Sequence, residues 1–215
     1  TTLERVSGYF DGTATKVWER LTSDAPVSRI RATVREGRDS MRALMLAQLP
    51  ADLTGARILD AGCGTGAASA ELAARGAQVV AIDISPKLVG IAAGRIDPAL
   101  KERVEFMSGD MLDPRLGRFD AVFAMDSMIY YTEDDLRRAL RGLATRAGQT
   151  VFTVAPRTPL LMAMWHAGRL FPRADRSPTM IPQDWRRLGR GLSGLARAGR
   201  ISRGFYISEC LELRP

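Results

Sequence analysis

Apolar spacing divides the 215-residue chain into two regimes. From Leu3 to Leu21 the residues Leu3, Val6, Phe10, Val17 and Leu21 share one helical face, interrupted at Asp11-Gly12. After Ser23-Asp24-Ala25-Pro26 a second helical pattern runs to about Leu49. It turns Ile30, Val34, Met41, Leu44, Met45 and Leu49 inward, and Pro50 ends it. Beyond this point strand and helix patterns alternate. Strands are predicted at 56–61, 78–84, 104–108, 119–125 and 150–155, and helices at 67–75, 86–95 and 133–146. Residues 162–171 read as a further helix and 172–185 as an irregular Pro-containing stretch. The closing ISRGFYISECLEL reads as two strands turning near Arg203-Gly204.

Continuous apolar strands such as QVVAIDI and DAVFAM belong to a parallel sheet covered by helices on both faces, so the predicted fold is a doubly wound α/β domain. The most informative segment is Ile58-Leu59-Asp60-Ala61-Gly62-Cys63-Gly64-Thr65-Gly66-Ala67, a strand that runs into glycines and then a helix. In an α/β sheet this is the ligand crevice at the strand ends. Glycines let the backbone turn sharply and approach a ligand, and the helix start presents free N–H groups. Asp83, 23 positions after Asp60, ends the next strand and is placed to hold ribose hydroxyls. Gly109-Asp110 follows the third strand; Asp110 is a candidate acceptor for an adenine amino group, with Ile84 and Met111 as apolar contacts to the ring.

Gly62-x-Gly64-x-x-Ala67 also satisfies the loose dinucleotide fingerprint, and charge separates the two cofactors. A pyrophosphate over this turn would be repelled by Asp60. S-adenosylmethionine carries an ammonium and a sulfonium and no phosphate, so a carboxylate here favours it, directly or through water.

Composition excludes several classes. With 46% hydrophobic and 26% charged residues, neither a disordered chain nor a disulfide-stapled miniprotein fits. No apolar run is long enough to span a bilayer and the first residues are too charged for a signal peptide, which predicts a cytoplasmic protein. Cys63 and Cys210 form no CxxC pair, and no cluster at metal-ligand spacing predicts a metal site of the protein's own. The net charge of +7 lies wholly in the C-terminal region: residues 1–155 carry 20 charges of each sign, whereas 156–215 carry 11 arginines against four acids. Arginines beside Phe and Trp suit an anionic, partly apolar partner, and equally a solvated surface.

The glycine motif resembles that of the class I S-adenosylmethionine-dependent methyltransferases, DxGxGxG, here Asp60, Gly62, Gly64 and Gly66, over residues 54–155. The flanks resemble a narrower family, the magnesium-protoporphyrin IX O-methyltransferases of chlorophyll and bacteriochlorophyll synthesis. The segments that do so are Gly8-Tyr9-Phe10 leading to Trp18, Val34 to Arg38, Asp126-Ser127-Met128-Ile129-Tyr130-Tyr131, His166 to Phe171 with Arg176-Ser177-Pro178, and Gly204 to Ser208. The sequence departs from that family at Tyr130, where a His is common.

The resemblance implies a Rossmann-like, seven-stranded, mostly parallel sheet with an antiparallel last strand, plus N-terminal helices. It implies a helical lid over 1–50 and a methyltransferase domain over 51–215, with a substrate-binding insertion at about 157–195. The reaction implied is methyl transfer to a propionate carboxylate, with magnesium arriving only inside the substrate and S-adenosylhomocysteine leaving as product. A carboxylate is already a nucleophile, so alignment in a water-poor pocket carries the catalysis. The resemblance places Tyr9 and Tyr130 at the reacting centre. Tyr9, Arg35 and Met125 join the cofactor residues, and Tyr130, His166 and Arg169 the substrate residues. Partners implied are the tetrapyrrole, a magnesium chelatase subunit and peripheral contact with a photosynthetic membrane through residues 165–195. The competing readings are an RNA or protein methyltransferase using the C-terminal arginines, against which no RNA-binding appendage or Asn-Pro-Pro-Tyr type motif is present, and a non-catalytic cofactor-binding scaffold.

Overall fold

The computed structural model describes residues 29–159, 161–162 and 180–215. The expected first helix, Tyr9, His166 and Arg169 lie outside the described residues.

Helix α1 (Arg29–Leu46) leads into strand β1 (Arg57–Ala61), followed by α2 (Ala67–Ala74), β2 (Gln78–Asp83), α3 (Pro86–Arg95) and β3 (Val104–Ser108). Then come β4 (Phe119–Ala124), α4 (Glu133–Ala144), β5 (Ala147–Val154), the short α5 (Trp185–Leu188), β6 (Leu195–Arg203) and β7 (Tyr206–Leu213). The strands form one seven-stranded sheet in the order β3-β2-β1-β4-β5-β7-β6. β1 to β5 pair in parallel, while β7 is antiparallel to both β5 and β6. The order reverses between β1 and β4, and such a switch point opens a crevice at the strand ends.

Side-chain alternation explains the two layers of core. On one face Ile58, Val79, Ala81, Phe123 and Val151 pack with Met41, Met45 and Leu46 of α1 and Leu72 of α2. On the other, Leu59, Val80, Ile82, Val122 and Phe152 pack with Leu136, Leu140 and Leu143 of α4 and with Leu188. Neighbouring strand residues therefore enter opposite cores, as the period of two requires. Sharp ends come from local chemistry. Ser85 caps α3 by accepting the Leu88 N–H, with Pro86 in the first turn, and Thr132 caps α4 by accepting the Asp135 N–H ahead of three acids.

Three boundaries differ from the sequence reading by three residues or more. Helix α1 stops at Leu46 rather than near Leu49, because the Leu46 carbonyl accepts from Arg75 Nη1 at 2.8 Å and the next residues close a tighter turn. β5 starts at Ala147, not Thr150, because Phe119 pairs with Ala147 at the far end of the ladder. β6 starts at Leu195, six residues ahead of Ile201, because β7 offers a full partner edge from Leu213 to Tyr206.

Helix α1 lies across the β6–β7 hairpin at close range. A Cβ on Gly37 would stand 2.7 Å from the Tyr206 ring, and one on Gly199 2.9 Å from Leu44, so both contacts depend on glycine. The approach brings Arg38 towards the sheet beside the end of β4.

Candidate active site

The turn after β1 is built by left-handed glycines. Gly62 has φ of +83° and Gly64 of +55°, and Gly66, at +84°, caps α2. The N–H groups of Gly62 and Cys63 both donate to the Ile82 carbonyl, at 2.8 and 3.0 Å, which ties the turn to β2. The glycines do different work. A Cβ on Gly62 would lie 2.3 Å from the Ser127 Cβ, and one on Gly66 3.0 Å from the Ala92 Cβ. On Gly64 it would meet nothing within 4 Å among the described residues, so against them a ligand can settle on bare backbone here.

Asp83 bridges this turn and the end of β2. Its Oδ2 accepts the Gly64 N–H at 3.0 Å and its Oδ1 the Ser85 N–H at 2.9 Å. A carboxylate at this position offers two acceptor oxygens, the kind of group that binds a ribose diol. Gly109 donates its N–H to the Asp83 carbonyl at 2.9 Å, so the loop after β3 is drawn to the same place. There the Asp110 Oδ1 accepts the Leu112 N–H at 2.8 Å, beside buried Met111 and half-buried Ile84. Met125 is buried where β4 ends. Asp60, Gly62, Gly64, Gly66, Asp83, Ile84, Gly109, Asp110, Met111 and Met125 thus all sit at or just beyond the carboxyl ends of the first four strands.

Asp60 takes an inward place. It is 2% exposed, and its Oδ2 accepts the Ser69 hydroxyl from the first turn of α2 at 2.5 Å. Burial pushes its carboxyl up to about 7; the Asp83 charge adds to that and the Ser69 hydrogen bond opposes it. The carboxyl therefore secures the turn from beneath rather than facing a ligand in the open.

The segment from Asp126 to Tyr131, expected on the acceptor side, follows the end of β4. Met128, Ile129, Tyr130 and Tyr131 are all buried, and Tyr130 is 4% exposed. Burial, with the charges of Asp110 and Asp135, pushes the Tyr131 phenol up to about 12. The described end of the insertion is stitched to this segment: Ile181 donates its N–H to the Ile129 carbonyl at 2.9 Å, and Gln183 Nε2 donates to the Tyr131 carbonyl at 2.9 Å. Gln183 also donates its N–H to Ala155, at 2.8 Å, which fixes the insertion against the end of β5. Arg35 is half-buried on α1, the helix that passes along the hairpin.

Sequence reasoning did not single out the side chains of Asp126, Ser127, Thr153, Gln183 and Tyr206. The Ser127 hydroxyl is buried against Gly62 without a hydrogen-bond partner among the described residues. Buried Thr153 is a polar residue inside an apolar strand, and that pattern was the available signal; buried Gln183, between Pro182 and Asp184, carried none.

The C-terminal arginines are in good part internal counter-ions. Arg197 and Arg200 converge on Glu209 Oε1, at 3.1 and 2.6 Å, with Glu209 only 1% exposed. Arg187 pairs with Glu133 at 3.0 Å and Arg214 with Glu212 at 2.5 Å. Glu209 and Glu212 already count among the four acids of this region, so of these pairs only Arg187–Glu133 draws on its charge excess. Among the described residues no group of three His, Cys, Asp or Glu could hold a metal ion, and no helix is long and apolar enough to cross a membrane.

Comparison with known proteins covers the same elements. A family model described as the C-terminus of magnesium-protoporphyrin IX methyltransferase matches residues 124–215, and one described as a methyltransferase domain matches 58–147. A magnesium-protoporphyrin O-methyltransferase of Rhodobacter capsulatus is 58% identical over 98% of this chain and 96% of its own. The crystal structure of magnesium protoporphyrin IX methyltransferase from Synechocystis PCC 6803 with bound S-adenosylhomocysteine superposes with a TM-score of 0.81, at 30% identity and 98% coverage of both chains. The same Synechocystis enzyme with bound S-adenosylmethionine gives 0.78, at 28% identity, covering 100% of this chain and 98% of that one.

Proposed function

We infer the reaction of this chain from its family, for it belongs to the magnesium-protoporphyrin IX O-methyltransferases. It is an S-adenosylmethionine-dependent enzyme that methylates magnesium protoporphyrin IX, a step of chlorophyll and bacteriochlorophyll formation. The oxygens of that porphyrin all belong to its propionate side chains, so the product is a methyl ester. Magnesium enters only as part of the substrate.

The donor fits the residues present: among the described residues a Cβ on Gly64 would meet nothing within 4 Å, and the Asp83 carboxylate lies hydrogen-bonded to the same turn. When bound, S-adenosylmethionine supplies a methyl carbon on a sulfonium and leaves as S-adenosylhomocysteine. We propose that Asp83 holds the ribose, that Asp110 with Ile84 and Met111 holds the adenine, and that Gly62, Gly64, Gly66, Gly109 and Met125 shape the cleft around them. Asp60 supports the turn from below. On the acceptor side Tyr130 orients the porphyrin propionate, while Arg35, among the cofactor residues, offers a carboxylate a positive charge. Tyr9, His166 and Arg169 are proposed for the lid and the substrate wall from the family resemblance alone.

These residues perform positioning and exclusion of water. The attacking propionate is ionised at neutral pH, so no residue has to remove a proton, and the rate comes from holding oxygen and methyl carbon in line in a dry pocket. The observation that carries this reading is the adjacency of the Gly64–Asp83 turn to the buried Tyr130 segment, at neighbouring strand ends. Its test is incubation of the purified protein with S-adenosylmethionine and magnesium protoporphyrin IX, metal-free protoporphyrin or RNA, with products analysed by mass. One methyl group on the magnesium porphyrin, removable by mild alkali, is expected. Transfer to RNA instead would overturn the reading.

We further propose that residues 1–50 form a lid over residues 51–215, and that the insertion contacts an anionic bilayer surface peripherally. The exposure of Met180, Arg186 and Arg190, all in this stretch of the chain, supports that contact. Vesicle co-sedimentation that requires anionic lipid is the expected result. Because the substrate arises by insertion of magnesium into a porphyrin, hand-over from a chelatase subunit is a proposed partnership, tested by co-purification of the two proteins.

A further inference from the structure

Among the described residues Asp126 is the one non-glycine residue with positive φ, at +54°. Left-handed backbone is unfavourable for a residue with a Cβ and persists where the surroundings impose it. Here they do. Thr153, fully buried on β5, accepts the Asp126 N–H at 2.7 Å and donates its hydroxyl to Oδ1 at 3.2 Å. Tyr206, at the start of β7, donates its hydroxyl to the same carboxylate at 3.1 and 3.3 Å. Arg38 of α1 brings its Nε to 3.7 Å from Oδ2, with the two side chains 19% and 8% exposed. A carboxylate just past β4 therefore joins β5, β7 and α1.

The turn it fixes has consequences on both sides of the site. It seats Ser127 against Gly62, where a Cβ would stand 2.3 Å away, and so sets the wall of the cofactor turn. It also directs the chain inward to Met128 and Tyr130, both buried. The carboxylate is enclosed by its own partners and is not placed to act on a substrate.

Resting on the functional reading above, we propose that Asp126 is the positioning residue of the acceptor side: clamped by Thr153, Tyr206 and Arg38, it aims the Ser127–Tyr131 segment and locks α1 to it. The reaction needs no base there, so the effect is geometric and falls on the porphyrin more than on the donor.

The test uses the whole protein with Asp126→Asn, Tyr206→Phe and the double variant Arg38→Gln/Asp126→Asn. Porphyrin affinity is read by fluorescence titration, donor affinity by calorimetry, and turnover by ester formation. In Asp126→Asn, kcat/KM for magnesium protoporphyrin should fall at least tenfold, with porphyrin affinity weakened at least threefold and S-adenosylmethionine affinity within threefold of wild type. Tyr206→Phe removes one hydroxyl and should show the same pattern at smaller amplitude; it decides the matter where Asp126→Asn does not fold. The double variant should be no worse than Asp126→Asn alone, because both changes break the same Arg38–Asp126 contact. The inference is overturned if the variants keep turnover and porphyrin affinity within twofold of an active wild type. It is also overturned if donor affinity and thermal midpoint fall in parallel with turnover, as for a purely structural residue. Wild-type protein that binds the porphyrin without methylating it overturns the functional reading itself, and this inference with it.

Discussion

Ser127 sits so close to Gly62 that a side chain on the glycine would place two Cβ atoms 2.3 Å apart. The end of β4 thus presses on the turn after β1, and the wall between the proposed donor and acceptor spaces is a direct backbone-to-side-chain contact.

The two glycines of the turn should respond differently to substitution. Gly62→Ala meets both the +83° backbone and the Ser127 contact, and should cost about 2–4 kcal/mol in denaturant unfolding. Gly64→Ala meets only the backbone cost, about 1 kcal/mol, since among the described residues its Cβ meets nothing within 4 Å. That same Cβ occupies the proposed ligand cradle, so calorimetry should show a loss of S-adenosylmethionine affinity larger than the loss of stability. Equal destabilisation by the two would contradict this division of roles.

Asp60 should give the protein a stability that declines with rising pH. Its carboxyl is raised from 3.8 to about 7 by burial, so between these values the folded state binds more protons than the unfolded one. The contribution is fully present below about pH 4 and is lost as pH rises through 7, with an upper limit of about 4 kcal/mol. Asp60→Asn keeps an acceptor for Ser69 and should flatten that part of the profile. Urea melts of both proteins from pH 4 to 8 measure the difference; parallel profiles would exclude the raised carboxyl.

Glu209 anchors two half-exposed arginines from a site that is 1% exposed. Glu209→Gln should cost about 1–3 kcal/mol, because the buried group loses its charge-assisted bonds while Arg197 and Arg200 can still reach water. Donor affinity should stay unchanged, since β7 lies away from the glycine turn in the sheet order. A loss of donor binding comparable to the loss of stability would contradict the separation.

Tyr130→Phe should lower kcat/KM for the porphyrin about fivefold or more, with S-adenosylmethionine affinity retained. Steady-state kinetics with each substrate varied in turn reads both quantities. Unchanged turnover would remove the hydroxyl from any role in orienting the propionate.

Much of the fold was legible because its signals are local. Helix α3 and strand β3 fall on the predicted residues: Ser85 and Pro86 mark the helix start, and the third strand carries its own apolar pattern. The glycine turn and Asp83 were legible for the same reason, since a strand, a turn and a helix follow each other in the chain. What escaped depends on partners far away in sequence. The left-handed turn at Asp126 is imposed by Thr153, Tyr206 and Arg38, and nothing in the Asp126–Tyr131 segment announces it. The inward turn of Asp60 depends on Ser69, nine residues on, where a small hydroxyl residue also reads as ordinary helix. The pairing of Arg197 and Arg200 with Glu209, and of Arg187 with Glu133, likewise escaped because these residues meet only in the fold.

The most direct measurement compares wild type and Asp83→Ala for methyl ester formed on magnesium protoporphyrin IX as S-adenosylmethionine is raised. Asp83 holds Gly64 at 3.0 Å and is the proposed ribose acceptor, so its loss should raise the donor KM at least tenfold, about 1.4 kcal/mol or more. Most of the turnover should return at saturating donor, with the porphyrin KM little changed. Ester formation with an unchanged donor KM would place the donor somewhere other than the turn between β1 and α2, and would contradict the account at its centre.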